Sequence, residues 1–342
     1  MIKKEEVIKM FREGRIKGYL PADIAALEIY VNNMGNYTGA VFVNPDKTEA
    51  GMPLPILNLD EVYNSIKDSE DAIEAGVRAS GIVQGFLKNS YVPNIDFSEL
   101  PEIMKDYNKI SDRVYLAAVS PSYNNETVAL YEANGMRFAA KMLLAQDADD
   151  SVVVQIPQNA IKSMGLTEKE FFTKVSENTA KLLKPEIRTL SEIFQGIPTD
   201  IPPEAIDMSM LVVTSENKIK GAASLILDDT VLSRVSEKYN GGNYFILPSS
   251  TNEFITMPGS YLNETAENIA MMTQMVEYIN DTEVTPEEIL SYDVYHYNAE
   301  KHKLEKATDY CINKQIELEQ SRQPRADEEL NEHLNKNDNI KL

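Results

Sequence analysis

Hydrophobic and polar positions along this chain alternate in short runs, and most of these runs are followed by a stretch with helical spacing. The recurring unit is therefore a β-hairpin with a helix behind it. The first unit reads GAVFVN (39–44), a polar loop and MPLPILNL (52–59), with Asp60 placed to cap a helix that opens EVYNSI. Pro53 and Pro55 restrict that second strand to an edge or an extended segment, because proline cannot donate to a ladder. The second unit is MRFAAKMLLA (136–145), the acidic turn QDADD and SVVVQI (151–156), with two helical pieces after it. Thr167 and Glu170 have the spacing of a capping box at the start of the later piece, just past Gly165, a residue suited to end the preceding turn.

The third unit runs MLVVT (210–214), a polar turn, AASLIL (222–227) as the returning strand, and a helix from Thr230 to Tyr239 stopped by Gly241-Gly242. In the fourth, YFIL and EFITM are strands around the turn Pro248-Ser249-Ser250-Thr251-Asn252-Glu253. A helix over 264–280 follows, with Ile269, Met272, Val276 and Ile279 recurring on one face. Thr285-Pro286-Glu287-Glu288 predicts a further capped helix, and DVYHYNAEKHKLEKA (293–307) one more hairpin, turning near Asn298-Ala299. Hairpins followed by helices predict the α+β class, with mostly antiparallel sheets and two subdomains. The expected division is an N-terminal subdomain over 1–193, a linker over 194–208 containing Pro198, Pro202 and Pro203, a C-terminal subdomain over 209–312, and a polar acidic tail over 313–342.

Composition narrows the function classes. The chain has 342 residues, with 54 acidic against 33 basic ones, for a formal charge of −21. Phosphate-binding surfaces need lysine and arginine to replace counterions, and no basic stripe is present, which argues against nucleic acid as a partner. The same charge repels anionic membranes, and no segment reaches the roughly 18 continuous apolar residues of a membrane span. MIKKEEVIKMF at the N-terminus has lysines with no apolar stretch behind them, so the expected location is the cytoplasm. Cys311 is the only cysteine, which excludes an internal disulfide framework.

The candidate chemistry is sparse. Ser249 and Ser250 would need a base within reach to act as nucleophiles, yet the chain has only His296, His302 and His333 and no Gly-x-Ser-x-Gly elbow. The hairpin turn accounts for these serines, and the alternative is a polar recognition tip formed by Ser249, Ser250 and Glu253. An EF-hand opening at Asp147 fails, since Val152 and Gln158 stand where glycine and glutamate are required. His296 and His302 lack a third zinc ligand and read as surface histidines, so no metal and no cofactor are expected. Met271, Met272 and Met275 offer an adaptable groove lining, but their helical spacing favours core.

The second half resembles a bacterial domain-of-unknown-function family of gut anaerobes. The resemblance rests on Gly165-Leu166-Thr167-Glu168, on the pair Asn178-Thr179, on the turn leading to Gly221-Ala222, on ILPSS with Glu253 behind it, and on the run from Thr285 to Tyr297. It extends loosely back to about residue 37. It implies no activity, cofactor or catalytic set. Such proteins are often carried on mobile elements, which implies a role in element maintenance, element transfer or host interference. Two readings follow. The first is a non-enzymatic protein that binds another protein, with an acidic surface that mimics nucleic acid as one variant. The second is an enzyme or small-molecule sensor with a cleft between subdomains, where Asn178 and Tyr295 would converge with Ser249 and Glu253.

Overall fold

The computed structural model describes residues 3–13, 24–32, 35–42, 56–89, 99–125, 127–146, 151–194, 210–261 and 264–318. The described residues divide into two compact units, one drawn from 1–115, 122–130 and 139–178 and the other from 116–121, 131–138 and 179–342. The expected linker, apart from Phe194, lies outside the described residues, as do the QDADD turn beyond Gln146 and the tail beyond 318.

The N-terminal part begins with helix α1 (Lys4–Arg12), followed by strands β1 (Ile24–Asn32), β2 (Gly35–Phe42) and β3 (Ile56–Asn58) and helices α2 (Leu59–Ile66) and α3 (Ala72–Asn89). The strands form an antiparallel sheet in the order β1-β2-β3. Val7 and Phe11 from α1, Val62 and Ile66 from α2, and Ala79 and Val83 from α3 recur at helical spacing and close over Phe42 and Leu57 of the sheet. Asn58, not Asp60, caps α2, accepting a hydrogen bond from the backbone of Asp60 at 3.0 Å. The Asp60 carboxylate instead takes the Lys4 ammonium at 2.7 Å.

Short helices α4 (Leu100–Ile103) and α5 (Tyr107–Ile110) lead to strands β4 (Val114–Val119), β5 (Leu130–Ala133), β6 (Met136–Gln146) and β7 (Ser151–Gln155). Their sheet has the order β4-β6-β5, with β7 also paired to β6, as the MRFAAKMLLA and SVVVQI runs predict. Helices α6 (Gln158–Ser163) and α7 (Glu168–Leu183) follow. The predicted capping box is present at α7. The Thr167 backbone donates to Glu170 Oε2 at 2.9 Å, and the Glu170 backbone donates to Thr167 Oγ1 at 3.3 Å. The Thr167 backbone and the Thr167 hydroxyl, which donates to the same Oε2 at 2.7 Å, hold the Glu170 carboxyl below its usual range.

The C-terminal part comprises β8 (Pro185–Thr189), α8 (Leu190–Phe194), β9 (Leu211–Ser215), a 3₁₀ helix (Ala222–Leu227), α9 (Asp229–Lys238), β10 (Tyr244–Ser250), β11 (Glu253–Pro258), α10 (Ala266–Thr282), β12 (Tyr295–Asn298), β13 (Lys303–Lys306) and helical residues 307–318. Its six-stranded sheet, in the order β13-β12-β10-β11-β9-β8, is antiparallel throughout. The protein is thus α+β, built on antiparallel hairpins. Two expected elements differ. AASLIL is a buried 3₁₀ helix and not a strand, because β9 already has β8 on one side and β11 on the other, which leaves no edge for a returning strand. Thr285 to Glu288 is a turn and not a helix. Carbonyls that a helix would use are engaged elsewhere: Pro286 O accepts from Ser120 Oγ at 2.7 Å, and Glu288 O accepts from the Thr251 backbone at 2.7 Å.

Candidate functional site

Ser249, Ser250 and Glu253 lie together at the tip of the β10–β11 hairpin, where a bulge follows Pro248. Ser249 Oγ donates to Glu253 Oε1 at 3.3 Å, and Ser250 Oγ accepts from the Asn252 backbone at 3.1 Å. The rest of the tip is tied into its own unit. Asn252 Oδ1 accepts from the Gly221 backbone at 2.9 Å, its carbonyl accepts from Thr214 Oγ1 at 3.0 Å, and the Thr251 carbonyl accepts from the Ala223 backbone at 3.0 Å. The polar groups of this turn therefore serve the turn and its neighbouring loops.

Asn178 on α7 donates through Nδ2 to the Val114 carbonyl at 2.8 Å, and Thr179 Oγ1 accepts from the Leu116 backbone at 3.0 Å. Tyr295 on β12 is fully buried, its hydroxyl paired with Ser291 Oγ at 2.9 Å, and burial pushes its phenol up to about 12. Tyr295 and the hairpin tip belong to one sheet, with Tyr295 opposite Ile246, but the Tyr295 side chain is enclosed in the core.

His296, expected at the surface, is fully buried. Both faces of β12 are covered, with Tyr295 and Tyr297 buried on one and His296 on the other, where it stacks on Tyr310 with ring centroids 3.7 Å apart and an interplanar angle of 17° and meets Phe245 edge-on. Neither ring nitrogen has a hydrogen-bond partner among the described residues. Nε2 lies 3.6 Å from Glu264 Oε1, longer than a hydrogen bond and an ion pair only when the ring is protonated. Burial lowers the imidazole pKa, and the facing carboxylates of Glu264 and Glu305 only partly offset it. Burial pushes Glu264 upward, but hydrogen bonds from Lys314 Nζ at 2.6 Å and Tyr310 Oη at 2.5 Å outweigh it and leave the carboxyl below its usual range.

A second polar cluster joins α9 to the last hairpin. Tyr297 Oη donates to Asp229 Oδ1 at 2.7 Å, and His302 Nδ1 lies 3.0 Å from Asp229 Oδ2 and 3.4 Å from Ser233 Oγ. A Ser–His–acid relay needs the serine and the acid on opposite ring nitrogens, whereas here both face Nδ1. Among the described residues no group of three or more His, Cys, Asp or Glu side chains is placed to hold a metal ion. The unit that contains α6 has a half-open pocket of about 680 Å³, with Pro157, Ile161 and Leu166 as its apolar wall and Thr127, Lys162 and Glu168 among its polar lining.

The feature least expected from sequence is α10. Ile269, Met272 and Val276 are buried against Phe245, Leu247 and Met257 of the sheet, as the periodicity predicts. The fourth core position is taken by Asn280, buried with Nδ2 donating to the Ser291 carbonyl at 3.0 Å, and not by Ile279. Met271, Met275, Tyr278 and Ile279 are left 55%, 44%, 69% and 41% exposed. Two of the three methionines assigned to core therefore line the surface. At 100° per residue, Met271, Met275 and Tyr278 share one stripe, while Glu267, Glu277 and Asp281, all exposed, occupy the adjoining flank. The helix contains no lysine, arginine or histidine, and these three carboxylates have no ion-pair partner among the described residues. The signal that could have found this face is a second apolar series at 271, 275 and 278 beside the first, the mark of a helix apolar on two faces.

Antiparallel hairpins backed by helices define an α+β protein, and on its C-terminal sheet lies a helix whose outer face carries exposed methionines beside exposed carboxylates. The chain belongs to DUF5688, a family of unknown function, which matches residues 9–299. No curated protein and no solved structure matches it. No described helix is long and apolar enough to cross a membrane.

Proposed function

We propose that this is a non-enzymatic binding protein that acts by engaging another protein, and that its recognition surface is the outer face of α10. The observation that carries the reading is the contiguous exposed stripe Met271, Met275, Tyr278 and Ile279. Single exposed apolar residues are ordinary, but a stripe spanning about two helical turns beside unpaired carboxylates is a feature of interaction sites. Methionine and tyrosine are also side chains suited to recognition, the first for its flexibility and the second for its rigid area with a polar end. The hairpin tip is the weaker candidate, because Asn252 and Thr251 are bound within their own unit. A bacterial, cytoplasmic setting and a role in a mobile element belong to the same proposal.

The test is capture from bacterial lysate at low and high salt with the wild-type chain and with the triple variant M271Q/M275Q/Y278Q. The reading predicts a stoichiometric partner that the variant loses. Equal capture by both forms contradicts it. A second reading rests on the 680 Å³ pocket at Ile161 and Leu166, which has the size and apolar wall of a small-molecule site. A ligand copurifying with the wild-type chain and lost on Ile161→Glu would support that reading instead.

A further inference from the structure

The chemistry of α10 specifies what covers it, and we infer that the partner presents a basic amphipathic helix, laid along α10 with its apolar side on the methionine stripe. This inference rests on the reading of α10 as the recognition surface and adds the class of partner.

Three observations lead to it. The apolar stripe follows the helix axis through Met271, Met275 and Tyr278, a straight track that a rod with its own repeating anchors at i, i+3, i+4 and i+7 can follow. An exposed acidic row, Glu267, Glu277 and Asp281, flanks the stripe, with no cation on the helix to neutralise it. A partner whose lysines or arginines flank its apolar side would place them over these carboxylates. Finally, the apolar content separates this surface from a nucleic-acid mimic, which presents acid without an apolar seam. A DNA-binding surface of lysine and arginine alone would leave Met271 and Met275 uncovered.

The same charge argument disposes of other occupants. A second copy of this chain docked α10 to α10 would set one uncompensated acidic row against another, and like charges in register oppose association. An anionic membrane is repelled by the row and by the net charge of −21. At 17 residues, α10 spans about 25 Å, enough to seat four to five turns of a partner helix. Methionine side chains adjust to different apolar shapes, so the surface would select by charge and amphipathicity more than by one fixed sequence.

The probe is a synthetic amphipathic helix of about 17 residues with leucine on one face and lysine and arginine on the other, long enough to match α10. The full chain, labelled at methionine methyl groups, is titrated with it. The Met271 and Met275 methyls should shift on binding while buried Met272 keeps its position. M271Q/M275Q/Y278Q should weaken binding by about tenfold or more, as expected when apolar anchors are lost from an interface centre. E267Q/E277Q/D281N should weaken it too and flatten its dependence on salt. Circular dichroism and melting of each variant confirm that the fold is retained. Binding that leaves the Met271 and Met275 methyls unmoved, or that M271Q/M275Q/Y278Q does not weaken, is nonspecific attraction to an acidic protein and overturns the inference. Capture of a lysate partner through α10 combined with no response to the peptide would leave the protein-binding reading standing and remove the basic-helix inference. Loss of both would remove both.

Discussion

At Gly221 the backbone takes φ +87°, and a Cβ there would lie 2.5 Å from the Ala117 Cβ and 2.7 Å from its Cα. The left-handed backbone and the contact with a main-chain atom add, so Gly221→Ala should cost about 2–4 kcal/mol in urea unfolding. Gly165 has φ +72° with open space around it, and Gly165→Ala should cost only about 1–2 kcal/mol. His296 poses a different residue-scale problem. Burial holds its pKa below the value of 6.5 expected in the unfolded chain. Above that pH both states are neutral and the group has no effect. As pH falls below about 6.5, the unfolded chain gains a proton that the folded chain resists, so stability drops until the folded pKa is reached. His296→Phe keeps an aromatic ring against Tyr310 and removes the titration. The urea midpoint of this variant should therefore fall less than that of the wild type between pH 7 and pH 5.5, and an unchanged slope would show that His296 does not control this window. The buried position of His296 was not legible from spacing, because β12 is covered on both faces, and a polar residue between two tyrosines reads as the solvent face of a strand covered on one face only.

At the scale of elements, the pattern gave the β6–β7 and β10–β11 hairpins, the last hairpin and helices α7, α9 and α10. All of these are long or bounded by recognisable caps and turns. Asn134-Gly135, with φ of 52° and 78°, joins β5 to β6 and is a strong short hairpin sequence, although it had no part in the expected units. β1 was missed because Ala25, Ala26, Leu27 and Glu28 favour helix locally, and its pairing with β2 overrides that preference. AASLIL and Thr285 to Glu288 were misassigned because tertiary partners decide both, the first by the occupied flanks of β9 and the second by Ser120 and Thr251. On α10 the first apolar series was legible except at its last position, where Asn280 and not Ile279 is buried, and Met271 and Met275 read as core by the same spacing. The two series separate under mutation. Met272→Ala should cost about 2–4 kcal/mol, as for other buried methionines, while Met271→Ala and Met275→Ala should each change stability by no more than about 0.5 kcal/mol in the same unfolding assay. Equal costs at all three positions would mean that the outer face is packed.

For the whole molecule, a net charge of −21 means that folding gathers like charges, and that screening them favours the folded state. Raising sodium chloride from about 0.02 to 0.3 M should raise the melting temperature, on the order of 2–4 °C if the gain is about 1 kcal/mol. No change would indicate that the acidic residues are spread too evenly to repel. Composition made this acidity legible, but not its placement beside an apolar seam, which depends on which face of α10 the sheet covers. The most direct test of the account is a hydrogen-exchange footprint of the chain with its captured partner, compared with the chain alone. Protection concentrated on Ala266 to Thr282 is the predicted result. Protection at Ser249 to Glu253 or at Pro157 to Glu168, with α10 exchanging as in the free chain, would contradict it.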